Sequence, residues 1–114
     1  MMKLNAIALF LAVISFGSHA AFYSGNEIFE RCTSTENSDN HFQKDAFCVG
    51  YIVGVYESYE NITICPGNNA KNITAGQLQL ISIKYMREHP EKLNQSAIDI
   101  IERGLNQAFP CKKK

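Results

Sequence analysis

Apolar and polar positions recur with a helical period in four stretches of the chain, set apart by polar connections. Ser24 is followed three residues later by Glu27, the spacing of a capping box, and a short helix carrying Ile28 and Phe29 is predicted to run to about Cys32. Thr33 to Asn40 is a run of Ser, Thr, Asn, Asp and Glu with nothing to bury, and reads as a loop. Gln43 to about Tyr59 is predicted to form the second helix. Its centre, AFCVGYIVGVY from Ala46 to Tyr56, carries no charge, as in a helix packed on several sides. A buried strand is the competing reading, but the segment is too long for one, and Ala46, Val49, Val53 and Tyr56 keep one helical face. Gly50 and Gly54, four apart on a neighbouring face, are expected to admit another helix at close range.

Asn61 to Ile73 is the longest irregular connection, with Pro66, Gly67 and several Asn residues. Its N-x-T triplets at Asn61 and Asn72 would be glycan acceptors only in a eukaryotic secretory route. Thr74 and Gln77 form a second capping box, opening a helix that Pro90 ends near His89. Leu78, Ile81 and Tyr85 make its inward stripe, whereas Leu80 and Ile83 fall nearly opposite, beside Arg87. The last helix, Gln95 to Ala108, aligns Ile98, Ile101, Leu105 and Phe109, with Asp99, Glu102, Arg103 and Asn106 on the other side; Pro110 and Cys111 follow it.

The amino terminus is of another kind. Met1, Met2 and Lys3 precede an uncharged apolar run from Ala6 to Phe16, and Ser18-His19-Ala20 places small residues where a signal peptidase reads, so residues 1–20 are expected to be a cleaved secretory signal. The run falls short of the ~20 apolar residues that a membrane span needs. The expected mature chain, Ala21 to Lys114, is a single domain without a membrane segment, delivered to an extracytoplasmic space.

Composition narrows the function. The whole chain has 114 residues, 46% of them hydrophobic, with 11 basic and 11 acidic side chains. That balance offers no basic footprint for nucleic acid, and the apolar fraction is too high for a disordered chain. The expectation is an all-α fold, a small four-helix bundle.

Export also decides how Cys32, Cys48, Cys65 and Cys111 read. An even number of cysteines in an oxidising compartment points to two disulfides, and the wide spacings lack the close pairs of a zinc site. If four helices run up and down in turn, the end of the first (Cys32) meets the start of the second (Cys48), and Cys65 lies near Cys111. A Cys48–Cys65 bridge is disfavoured, because a helix from 48 to about 59 sets its two ends more than about 15 Å apart, against a limit of about 7 Å between bridged Cα atoms. Pairing 32 with 48 and 65 with 111 is therefore preferred, with 32 to 65 and 48 to 111 as the alternative.

No catalytic constellation emerges: there is no Gly-rich phosphate loop, no nucleophile elbow, and no His placed by local spacing to activate a cysteine. No cofactor or metal is expected. A binding module is the leading class, a periplasmic acid-stress chaperone that exposes apolar surface is the alternative, and an enzyme is disfavoured.

Several blocks in order carry a family likeness: Cys32, then Phe47-Cys48-Val49-Gly50-Tyr51-Ile52-Val53-Gly54-Val55, Cys65-Pro66, Ile73-Thr74-Ala75-Gly76-Gln77-Leu78, Tyr85-Met86-Arg87-Glu88-His89-Pro90-Glu91, Ala97 and Ala108-Phe109-Pro110-Cys111. With the secretory signal before them, they resemble the Rap/Tai immunity proteins of type VI secretion systems over nearly all of the mature chain. The resemblance implies an all-α periplasmic protein, often a homodimer, that binds and occludes a peptidoglycan amidase effector. The departure is the Pro66 to Ile73 connection, longer and richer in Asn than the family's link to its "T-x-G-Q-L" cap.

The motif blocks are core, cap and cysteine positions, so the partner contact is expected on the polar loops instead: Thr33, Ser34, Glu36, Asp39 and Asn40 on one, Asn68, Asn69 and Lys71 on the other. Leu80, Ile83 and Arg87 are the expected dimer surface.

Overall fold

Each of the two capping boxes starts a helix in the computed structural model, which describes residues 22–112. Helix α1 spans Gly25–Cys32: the Glu27 amide donates to Ser24 Oγ at 3.2 Å and the Ser24 amide to Glu27 Oε2 at 2.9 Å. Helix α2 spans His41–Tyr59, helix α3 Ala75–Glu88 and helix α4 Ala97–Ala108. Thr74 and Gln77 close the reciprocal pair at the start of α3, at 3.1 and 2.8 Å. Two 3-10 turns, Gly67–Asn72 and Pro90–Lys92, lie in the connections. The described residues contain no strand, only the isolated bridges Ser24–Ser96 and Glu60–Ile64. The secretory signal expected over residues 1–20 lies outside the described residues.

The described residues form an all-α four-helix bundle closed by two disulfides, Cys32–Cys48 and Cys65–Cys111, with Cα atoms 5.1 and 4.8 Å apart. The preferred pairing therefore holds, by a route slightly different from simple up-and-down alternation. With eight residues, α1 is too short to run the length of the bundle. Its start is tied to the segment before α4, where the Gly25 amide donates to the Gln95 carbonyl at 2.9 Å and the Asn26 amide to the Leu93 carbonyl at 2.7 Å. Its end is bonded to Cys48 in the second turn of α2. In this position α1 spans one end of the bundle and touches each of the other three helices.

The core is Ile28 and Cys32 of α1, Cys48, Ile52, Val55 and Tyr56 of α2, Leu78, Tyr85 and Met86 of α3, and Ala97, Ile100, Ile101 and Leu105 of α4, closed by Ile64 and Leu93 from the connections. The inward side of α2 differs from the expected stripe. Ala46 is exposed, Val49 and Val53 are only half-buried, and of that set Tyr56 alone is in the core. A helix apolar nearly all round has no polar side to orient it, so periodicity cannot select its buried face. The bond from Cys48 to α1 turns Ile52 and Val55 inward and leaves the opposite side to solvent. On α4, Ile101 and Leu105 are buried as expected, while Ala97, Ile100 and Gly104 join them and Ile98 and Phe109 stay half-buried.

At the far end of α2, Asn61 takes a left-handed φ of 64° and turns the chain back so that the Cys65 amide donates to the Phe109 carbonyl at 2.8 Å beside the second disulfide. Asn40, with φ of 62°, makes the corresponding turn into α2. Asn tolerates this region better than other residues with a Cβ, so both limits of α2 carry a residue suited to them.

Candidate functional site

The loop Thr33 to Asn40 and the first turn of α2 form a shoulder held from several sides. The Thr33 hydroxyl donates to the Phe29 carbonyl at 2.7 Å, Ser34 Oγ and His41 Nδ1 are hydrogen-bonded at 2.9 Å, and the Ser38 hydroxyl donates to the Thr35 carbonyl at 2.7 Å. Lys44 Nζ reaches Glu30 of α1 at 2.6 Å. Beneath, the Cys32–Cys48 bond closes the segment, and the Arg31 guanidinium lies over Phe47 and Tyr23, 4.7 and 5.0 Å from the ring centroids. These links come from both flanking helices, so the loop is pre-ordered before any partner arrives.

A surface hollow of about 700 Å³ opens on this shoulder. Its described lining includes Glu36, Asp39, Asn40, Phe42 and Asp45, with no Lys or Arg. Asp45 accepts from Gln79 Nε2 of α3 at 2.9 Å, while Glu36 and Asp39 are exposed. Phe42 is 87% exposed. Sequence reasoning missed it by starting the helix at Gln43. The available signal was that Phe42 extends the row of Ala46, Val49 and Val53 by one turn, the row that faces outward.

Asn68, Asn69 and Lys71 lie on the 3-10 turn between α2 and α3, with Asn68 and Lys71 exposed. The structure does not bring them together with the first loop. The two loops flank opposite ends of the 19-residue α2, which spans about 28 Å at helical rise. One narrow cleft can therefore take one of these loops from a given molecule and not both.

Of the expected dimer residues, Leu80 is 69% exposed and Arg87 is exposed, but Ile83 is half-buried and packs partly on the core. A second apolar surface is clearer in three dimensions than in sequence. Gly50 and Gly54 line a groove of about 380 Å³ with Tyr51, Ser58, Tyr59 and Ile98. A Cβ added at either glycine meets nothing within 4 Å, so the close helix approach expected there is not made among the described residues.

At the other side of the fold, the His-Pro-Glu turn serves structure. His89 Nδ1 donates to the Tyr85 carbonyl at 2.8 Å and its ring stacks on Tyr85 at 4.1 Å between centroids, closing α3. Among the described residues no group of three His, Cys, Asp or Glu side chains is placed to hold a metal ion, and no helix is long and apolar enough to cross a membrane. Chemically, the described surface is equipped for contact: a rigid acidic shoulder with an aromatic tip, and an apolar groove along α2.

Comparison with known protein families matches residues 24–111 to the Rap1a immunity proteins. Among curated proteins no match is found. The matched span begins at the Ser24 cap and ends at Cys111, enclosing all four helices and both disulfides, and the chain therefore belongs to the Rap1a immunity protein family.

Proposed function

We propose that this chain protects a cell by binding a type VI secreted peptidoglycan amidase effector in the periplasm and occluding its active-site cleft. The family match over residues 24–111 carries the reading, because immunity rests on capture of a cognate effector. The architecture is consistent with inhibition by contact. Four helices tied by two disulfides need little ordering on association, which favours tight binding. The same two bonds fit an oxidising compartment, where a periplasmic protein acts.

The acting form in this reading is a homodimer. Leu80 and Arg87 supply one exposed surface for a second copy, with Ile83 at its edge, and the glycine groove of α2 supplies another. Sedimentation of the purified chain separates one copy from two, and Leu80→Glu is expected to shift a dimer toward monomer if the α3 surface is used.

The test of the main reading is co-expression with a periplasm-directed amidase effector. Cells carrying the folded immunity chain are expected to survive. Lysis that proceeds unchanged across the effectors tried, with the chain present and folded, rules the reading out for those toxins.

A further inference from the structure

An aromatic ring exposed at the edge of a pre-ordered loop offers apolar surface that a bound partner can remove from water. Phe42 is such a ring. It is 87% exposed on the first turn of α2, within a segment closed by Cys32–Cys48 and held by the Ser34–His41 and Lys44–Glu30 contacts. Burying it against a partner removes apolar surface from water without ordering a flexible loop. Large aromatic side chains in this setting are the usual centre of an interface hot spot.

The surroundings of Phe42 say what kind of surface it fits. Glu36 and Asp39 line the same hollow and are exposed; its described lining has no Lys or Arg, its one imidazole, His41, is hydrogen-bonded to Ser34, and the nearby Lys44 is occupied by Glu30. A partner surface that receives this shoulder must therefore be apolar at its centre and cationic at its rim. Peptidoglycan stem peptides carry free carboxylates, so a cleft built to hold them presents cations or N–H donors to anions.

We propose that Phe42 is the plug that enters the effector's substrate cleft, with Glu36 and Asp39 pairing with the cations that would otherwise hold the carboxylates of the substrate. This rests on the immunity reading above and selects the α1–α2 shoulder over the Asn61 to Asn72 loop at the other end of α2.

The test uses the disulfide-bonded chain and the purified effector against which the unmodified chain protects. Phe42→Ala is expected to weaken binding and inhibition about tenfold or more. Glu36→Gln with Asp39→Asn is expected to slow association and flatten its salt dependence. Ile62→Ala, at an exposed apolar site at the other end of α2, serves as the comparison and is expected to leave affinity unchanged. Phe42 packs little in the free chain, so an unchanged unfolding midpoint shows that the variant is folded. Unchanged affinity for Phe42→Ala, with the unmodified chain binding normally, overturns the plug while leaving immunity intact. A Phe42→Ala variant that loses self-association but keeps effector affinity also overturns it, placing the ring between copies. If the unmodified chain binds and protects against no effector, the immunity reading itself fails and the plug falls with it.

Discussion

Gly104 is required by its neighbour. A Cβ there would stand 2.9 Å from both Cβ and Cγ of Tyr85, in the contact between α3 and α4. Tyr85 is buried and its ring is stacked on His89, so it has little room to retreat. Gly104→Ala is expected to destabilise the chain by about 1 to 3 kcal/mol, as overpacking of a core does, read as a lower urea midpoint. Two phenols are expected to weaken the fold at high pH. Burial first, and then Tyr23 nearby, pushes the Tyr51 hydroxyl above its ordinary pKa; burial first, and then Glu60, does the same for Tyr56. The folded chain then holds protons that the unfolded chain releases near about pH 10. Their contribution to stability is complete below that pH and is lost as pH rises through the folded values. Tyr51→Phe is expected to flatten part of the decline in urea midpoint above about pH 10. The same decline in Tyr51→Phe and Tyr56→Phe as in the unmodified chain would show that other groups set the alkaline limit.

Helix α2 has two glycines in its interior that no contact among the described residues requires. Gly in a helix is less stable than Ala by roughly 0.5 to 1 kcal/mol, and at Gly50 and Gly54 the added methyl meets open space. Gly50→Ala and Gly54→Ala are each expected to stabilise the isolated chain by about that amount, measured by urea unfolding at low concentration. Destabilisation by either substitution would mean that the free chain uses the groove. A stabilised variant that associates less well in sedimentation would place a partner on it. The element limits themselves were largely legible. Ser24 with Glu27 and Thr74 with Gln77 are local hydrogen-bonding patterns, and both form in full. Pro90 ends α3 at Glu88, within a residue of expectation. The start of α2 was legible only to two residues, because no side chain caps it and a left-handed Asn40 makes the turn.

The two disulfides differ in how much of the whole chain they restrain. Cys32–Cys48 closes a separation of 16 residues and Cys65–Cys111 one of 46. On the loop-entropy relation these are worth about 3 and about 4 kcal/mol. Replacing the second pair with serine is therefore expected to lower stability by about 1 kcal/mol more than replacing the first, measured as the difference in unfolding free energy. The first pair also closes the loop that carries the shoulder proposed above as the contact surface. An equal or reversed order of stabilities would show that native packing, and not chain restraint, sets the effect.

Sequence alone determined that there are four helical segments, the capping boxes of α1 and α3, and the pairing of the cysteines as bridges, because a cap is specified by residues a few positions apart and widely spaced, even-numbered cysteines favour disulfides over a metal site. The layout of helices also sufficed to prefer the disulfide pairing. Tertiary structure alone decided which side of α2 is buried, since Ala46 to Tyr56 is apolar in every direction and only the packing of α1, α3 and α4 distinguishes its faces. That same choice placed Phe42 and the glycine groove in solvent and set the two polar loops at opposite ends of one helix. Contacts between distant parts of a chain are fixed by the sum of packing over the whole fold, and no local pattern carries that sum.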